Sequence, residues 1–453
     1  MGTLGGTGDP GNNASPGAKR NPAARSLTLR FGVLSLLQEL AIALPMPVLV
    51  VHMTGRGLGL DTIGFAFALR AVLVVILEVP TGGLADAIGR KTTALLSQFF
   101  TLASFVALLL VTSPLLALVY AVLQGIGAAL HSGALEAWYV EGLRRIDREA
   151  NLQDNLAVTS TLQSVGLLVG TAVGGFLPGW AAPWHLPFPL SGFGIALFAG
   201  LLMRGVVWLL TVVLVDERER RHPGAAAGMK AIPGIVADAA NLARRSPVVP
   251  YLLLASIGSG VALISIETFW QPVAASRLGA DASHSAAFGI FGTLMGAAAL
   301  AGGLLVARYG KRVPGGSAAL AGFTMLLRGA ALLLFAFTPS TLLLGVAFAL
   351  VYLGIGASHP PHDALLHGAV PDERRSSMLS INSLAVFIGI GLGSGVLGWV
   401  ASSTSPHVAL LAAGILTLAA SAAYAAVART GVGRVAPTEG GAADGTASES
   451  AAD

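Results

Sequence analysis

Two carboxylates, Glu39 and Glu267, stand inside long apolar runs, each a few residues before a proline: Pro45-Met46-Pro47 after the first and Pro272 after the second. An ionised side chain at mid-membrane depth costs roughly 2.5–3.5 kcal/mol even with relaxation, so an acid there carries a proton, binds a ligand or balances a structural charge. Arg70, in the next apolar run, would partner Glu39 in either a functional or a structural role. Around Glu267 the string Glu267-Thr268-Phe269-Trp270-Gln271-Pro272 adds aromatic faces and an amide, the mixture found in small-molecule sites. A third polar group, His359-Pro360-Pro361-His362-Asp363, holds imidazole and carboxylate, both common metal ligands. Its paired prolines are expected to break the helix that would give an i,i+4 face. No metal site or cofactor is therefore expected, and Asp363 joins Glu39, Arg70, Glu267, Phe269, Trp270 and Gln271 as a proton-coupling or cavity candidate.

The other concentrated charges form a short segment, Gly82-Gly83-Leu84-Ala85-Asp86-Ala87-Ile88-Gly89-Arg90-Lys91, expected as a turn between apolar runs at 61–80 and 92–112. Gly82 and Gly89 allow backbone geometries that other residues resist. Asp86 can cap or pair with a neighbouring helix end, and Arg90 can reach an acid. Glu136 and Glu141, ahead of Arg144 and Arg145 at the end of the fourth run, are the acids available, with Glu141 preferred. Gly82, Asp86, Gly89, Arg90, Lys91, Glu136 and Glu141 thus make a candidate gate on one face. The plainer alternative is a set of anchors that fixes topology and snorkels to water.

These residues have to be positioned by membrane helices. The 453 residues are 54% hydrophobic and only 11% charged, against about 25% charged in soluble domains. Twelve apolar runs reach the ~20 residues needed to span a bilayer, the first at 27–53 and the last at 407–428. The expected fold is an all-α integral membrane protein of twelve transmembrane helices in two pseudo-symmetric six-helix bundles, residues 27–215 and 248–430. Residues 216–247 make a cytoplasmic linker with a weak amphipathic stripe from Ile232 to Leu242, and 1–26 and 431–453 are disordered tails. A second, faded copy of the charged turn, Gly303-x-Leu305-x-Ala307-Arg308-x-Gly310-Lys311-Arg312, supports a duplicated chain.

Of 27 Lys and Arg residues, only Arg56 and Arg277 fall on the face opposite the termini, and Arg70, Arg204 and Arg328 fall within runs. That bias places both termini in the cytoplasm of a multi-pass plasma-membrane protein. It also accounts for the net charge of +4 without a nucleic-acid partner. Cysteine is absent, which excludes disulfides and thiolate metal sites.

The spacing of the first charged turn resembles the signature loop between the second and third helices of the major facilitator superfamily. Gln124-Gly125-Ile126-Gly127-Ala128-Ala129 resembles the fourth-helix motif of that superfamily's bacterial drug:proton antiporters, with Ala121 where the motif has arginine. Gly166-x-x-x-Gly170-Thr171-x-x-Gly174-Gly175 is similar to their fifth-helix antiporter motif, with Thr171 where proline is usual, and Gly391 and Gly395 are read as its echo. The resemblance implies two bundles around a central cavity that opens alternately to each face. The expected activity is proton-coupled efflux of a small amphiphilic or drug-like compound by a monomer embedded in the lipid bilayer. Two alternatives stand beside it: a proton symporter importing a nutrient, and a membrane-embedded enzyme or non-transporting sensor.

Overall fold

The computed structural model describes residues 22–131, 134–147, 151–216, 246–279, 281, 284–370 and 375–430, except for the side chains at 79, 80, 82, 83, 85–87, 153 and 375–377. The tails and the stretch from 217 to 245, with its expected amphipathic helix, lie outside the described residues. Among the described residues the fold is all helical, with twelve helical stretches long and apolar enough to cross a membrane. They run Pro22–Gly55, Leu60–Glu78, Arg90–Leu109, Pro114–Ile146, Asp154–Trp184 and Gly194–Leu214, then Val249–Leu278, Ser285–Arg312, Gly316–Phe337, Thr341–Gly368, Met378–Ser403 and Pro406–Arg429. They are numbered here as spans one to twelve. An even number of crossings puts Pro22 and Arg429 at the same end, called here the termini end; the opposite one is the far end.

Local sequence sets the breaks. Span one is interrupted where Pro45 and Pro47 deny backbone donors: helix Pro22–Ala43 gives way to a 3-10 turn at Met46–Val48 and restarts at Leu49–Gly55. The charged segment after span two is shorter as a turn than its composition suggests. The helix continues through Gly82 and Asp86 to Ile88, because Ala85, Ala87 and Leu84 favour helix. The chain turns only at Gly89, whose φ of 97° suits glycine. Span ten also departs from expectation: Pro360 and Pro361 lie inside a continuous helix, Thr341–Gly368. His359 and Asp363 therefore share a helix face after all.

In the first half span five packs on span one, and span four on spans two and three; in the second half span eleven packs on span seven, and span ten on spans eight and nine. Between the halves the main contacts are span two with span eleven and span five with span eight. Lipid-facing positions carry large apolar side chains such as Phe65, Val213, Leu342 and Trp399, all exposed. Trp180 and Trp184, edge to face at 4.4 Å, stand exposed at the far end where an aromatic belt would lie.

The buried core divides unevenly along the bundle axis. At the far end one continuous apolar cluster runs through both halves, from Val48, Met53 and Ile63 to Phe269, Phe288 and Phe348. At the termini end there are two separate clusters. One, around Phe31, Tyr139 and Leu143, belongs to the first half; the other, around Leu252, Leu365 and Tyr424, belongs to the second. The halves are fused at the far end and individually cored at the other.

Candidate functional site

Gln271 bridges the two halves at the far end. It is 1% exposed, and its side chain reaches across to the break in span one. Its Nε2 donates to the carbonyl of Met46 at 2.8 Å, and its Oε1 accepts from the amides of Val50 at 2.7 Å and Val51 at 3.1 Å. Those amides belong to the first turn of helix Leu49–Gly55, where donors have no intrahelical partner, and Val48 supplies no side-chain cap. A residue of the second half thus caps a helix of the first. The amide of Gly179 adds a bridge to Ser285 Oγ at 2.6 Å. Phe269 and Trp270 are fully buried beside Gln271, with Trp270 packed 5.4 Å from Phe291 and 5.0 Å from Phe348. The three residues expected as cavity or coupling candidates are buried at the far end between the halves, where the proline-broken span one folds over that part of span seven.

The two acids have different neighbours. The expected Glu39–Arg70 ion pair is not formed among the described residues. Glu39 instead lies in the field of Arg204 from span six, and Arg70 acts on Glu267 across the boundary between the halves. Arg204 is 4% exposed and sits over the ring of Phe105 at 5.5 Å. Glu39, Gln38, His131 and Glu136 line a cavity of about 250 Å³ on the termini side of the first half, closed laterally by Thr159, Ser160 and Gln163 of span five. Gln38 Nε2 donates to the His131 ring at 2.9 Å, so the histidine is hydrogen-bonded within the wall.

At the termini end Arg90 forms an ion pair with Glu141 at 2.6 Å. Glu136 lies on the cavity wall, one turn and more away from that contact along the same helix. Lys91 donates to the carbonyl of Val212 at 2.8 Å, satisfying an end carbonyl of span six. The side chain of Asp86 and the surroundings of Gly82 lie outside the described residues.

The span-five glycines face backbone. A Cβ at Gly166, Gly170 or Gly174 would collide with the main chain of Leu36, Leu40 or Leu44, so these positions meet span one at successive turns. Gly175 points the other way, backbone to backbone against Gly289 of span eight in the opposite half. In the second half the same contact is made by Gly389 on Ile257 and Gly393 on Val261, and Gly398 meets Gly64. Gly391 and Gly395, read from sequence as the echo, face Ala71 and Ala68 of span two instead. The repeat is thus shifted by two residues in span eleven. With Leu36 matched to Ile257 and Leu40 to Val261, Glu39 matches Gly260, and Glu267 stands about two turns further along its span than the position symmetric with Glu39.

A family model described as Major Facilitator Superfamily matches residues 31–327 and 315–449, nearly the whole chain. The chain belongs to the major facilitator superfamily. It is 22% identical over 376 residues to YxaM of Bacillus subtilis (strain 168), an MFS-type transporter, with 82% of this chain and 89% of the relative covered. Its fold is similar to that of a bacterial homologue of the human lysosomal transporter Spinster, solved inward-facing and unoccupied. That match has a TM-score of 0.69 at 16% identity, over 93% of this chain and all (100%) of that one. It is similar as well to the nucleoside transporter NupG (TM-score 0.66, 15% identity, 88% and 98% covered). The peptide transporter POT in complex with sulfate gives TM-score 0.66 at 14% identity, with 92% and 96% covered. Membership makes this a transporter with the two-halved superfamily fold.

This superfamily member also holds a polar pocket in its second half. Ser256, Asn382 and Tyr424 surround His362: Nε2 lies 3.1 Å from Asn382 Oδ1 and 3.0 Å from Ser256 Oγ, and Tyr424 OH is 2.8 Å from Nδ1. Arg328, His359 and Asp363 line the same pocket, of about 70 Å³. Among the described residues no group of three His, Asp or Glu side chains is arranged to hold a metal ion. Ser256, Asn382 and Tyr424, like Thr159 and Gln163 in the first half, had no sequence signal beyond a polar side chain in an apolar run. Gln38 had one, its adjacency to Glu39.

Proposed function

We propose that this chain is a proton-coupled secondary transporter that exports a small amphiphilic compound from the cytoplasm by alternating access. The observation that carries the reading is the uneven core, one cluster through both halves at the far end and two separate ones at the termini end. That is the shape of one end-state of a rocking pair of bundles. The basic bias makes the termini end cytoplasmic, so this state receives solute from inside the cell, and the acid-lined cavity at Glu39 and Glu136 is on that side.

The coupling proton is assigned to Glu267 ahead of Glu39. Arg70 and Glu267 lie in opposite halves, so neutralising the carboxylate weakens an attraction that holds the halves together. Glu39 and Arg204 lie in one half and move as a body. The glycine contacts of span five, with span one on one side and span eight on the other, give surfaces without side-chain knobs for that motion. In proteoliposomes, export driven by an imposed pH gradient is expected to survive Glu39→Gln with altered solute affinity. It is expected to be lost in Glu267→Gln while solute exchange without a gradient persists. Gradient-driven export intact in the double variant would sink the assignment. Ala121 and Thr171, which replace the antiporter arginine and proline, keep the import alternative open. Solute accumulating along the proton gradient rather than against it would establish that alternative.

A further inference from the structure

Arg328 of span nine is 2% exposed, yet among the described residues the only acceptors of its guanidinium are the hydroxyl and carbonyl of one residue. Nη1 donates to Ser259 Oγ at 2.7 Å and Nη2 to Ser259 O at 3.0 Å, and Nε has no partner among the described residues. No carboxylate forms an ion pair with it among the described residues. A guanidinium has five N–H donors and stays charged, so burial without a counter-charge is costly. His362 cannot turn toward it, since both ring nitrogens are engaged by Asn382, Ser256 and Tyr424. The contrast with the first half is instructive: there the buried arginine, Arg204, has Glu39 as its acidic neighbour. Arg328 on span nine is not the repeat counterpart of Arg204 on span six, but at the level of Ser259 the repeat register puts Gly260 where Glu39 stands, so span seven supplies no acid there.

We infer that the pocket at Arg328 is a binding site for a small monovalent anion, either a free halide or the carboxylate of a solute. The cavity of about 70 Å³ in front of the guanidinium suits a small anion and excludes a bulky one. His359, exposed at its mouth, adds an imidazole N–H. Asp363 lies one turn beyond His359 toward the termini end, half-buried and not paired with Arg328. There it opposes anion entry at the rim and does not fill the site. The inference is independent of the direction in which solute moves.

The test is thermal unfolding of the purified full-length transporter in detergent, followed by tryptophan fluorescence, with sodium gluconate replaced stepwise by sodium chloride or sodium formate at constant ionic strength. Wild type is expected to show a saturable rise in melting temperature of several degrees. A rise with chloride alone identifies a halide site, and one with formate identifies a carboxylate subsite. Arg328→Gln should abolish the rise. Asp363→Asn should keep it and lower the half-saturating concentration several-fold. Superimposable melting curves in all three salts, or an undiminished rise in Arg328→Gln, overturns the site. If Arg328→Gln does not fold, Arg328→Lys decides, because loss of the planar fork should raise the half-saturating concentration at least tenfold. An unchanged value there also overturns it.

Discussion

Replacing Gln271 by leucine is the most direct probe of which contacts hold this conformation. The substitution keeps a side chain of similar size in a site that is 1% exposed but replaces the amide with an apolar group and so removes three hydrogen bonds between the halves. Each net hydrogen bond contributes about 0.5–1.5 kcal/mol, and the amides of Val50 and Val51 and the carbonyl of Met46 would be left dry and unpaired. In the far-end-open state of the proposed cycle those groups meet water, so the loss falls on the far-end-closed state alone. Taking roughly 2–3 kcal/mol for the set, the ratio of far-end-open to far-end-closed molecules rises by roughly 30- to 140-fold, at about 1.4 kcal/mol per tenfold. The chain has no cysteine, so spin labels can be placed singly at Trp184 and Ser403, exposed far-end positions in opposite halves. Distance distributions by double electron–electron resonance should gain a longer component in Gln271→Leu, and Gln271→Glu should show it as well, since a carboxylate cannot donate to Met46. A distribution unchanged from wild type in Gln271→Leu would refute the idea that this side chain latches the halves.

The Arg90–Glu141 pair should matter less. Its side chains are 26% and 56% exposed, and exposed pairs contribute about 0.2–1 kcal/mol, so Glu141→Gln should shift the same equilibrium by less than about fivefold, with the effect fading in molar salt. Gly174→Val should drive a side chain into the main chain of Leu44 and lower the melting temperature, overpacking typically costing about 1–3 kcal/mol. Gly205→Ala, where an added Cβ meets nothing within 4 Å, should be neutral or slightly stabilising in the same melt. Tyr139→Phe should keep the 4.4 Å stack on Phe31, lose the 2.9 Å bond to Thr28, and destabilise by about 1 kcal/mol; Tyr139→Ala should cost several times more.

Much of the architecture was legible because a bilayer imposes a coarse rule on sequence. A span must be long, apolar and helical, so the twelve runs, their pairing into halves and the break at Pro45 and Pro47 follow from composition and one backbone constraint. The charged turn was legible as a motif, but its extent was not. Asp86 looked like a loop residue, yet its neighbours are good helix formers and the segment can hydrogen-bond internally up to Gly89. Likewise Pro360 and Pro361 looked like a break, whereas packing on spans eight and nine keeps span ten helical through them.

Partnership was decided only in three dimensions. Sequence names acids and arginines, but a helix can rotate and slide, so proximity along the chain pointed to Glu39 with Arg70. Packing instead puts Glu39 in the field of Arg204 and Glu267 in that of Arg70 from the other half, with no ion pair in either case among the described residues. Gln271 shows the same limit: as a residue type it suits a ligand wall or a cap equally, and only the fold of span one over span seven puts unpaired amides against it. The sequence determined which polar groups the membrane must accommodate, since burial in hydrocarbon makes each one conspicuous. Tertiary structure alone decided which of them meet, because a few ångströms of register between helices separate a hydrogen bond from an unpaired group.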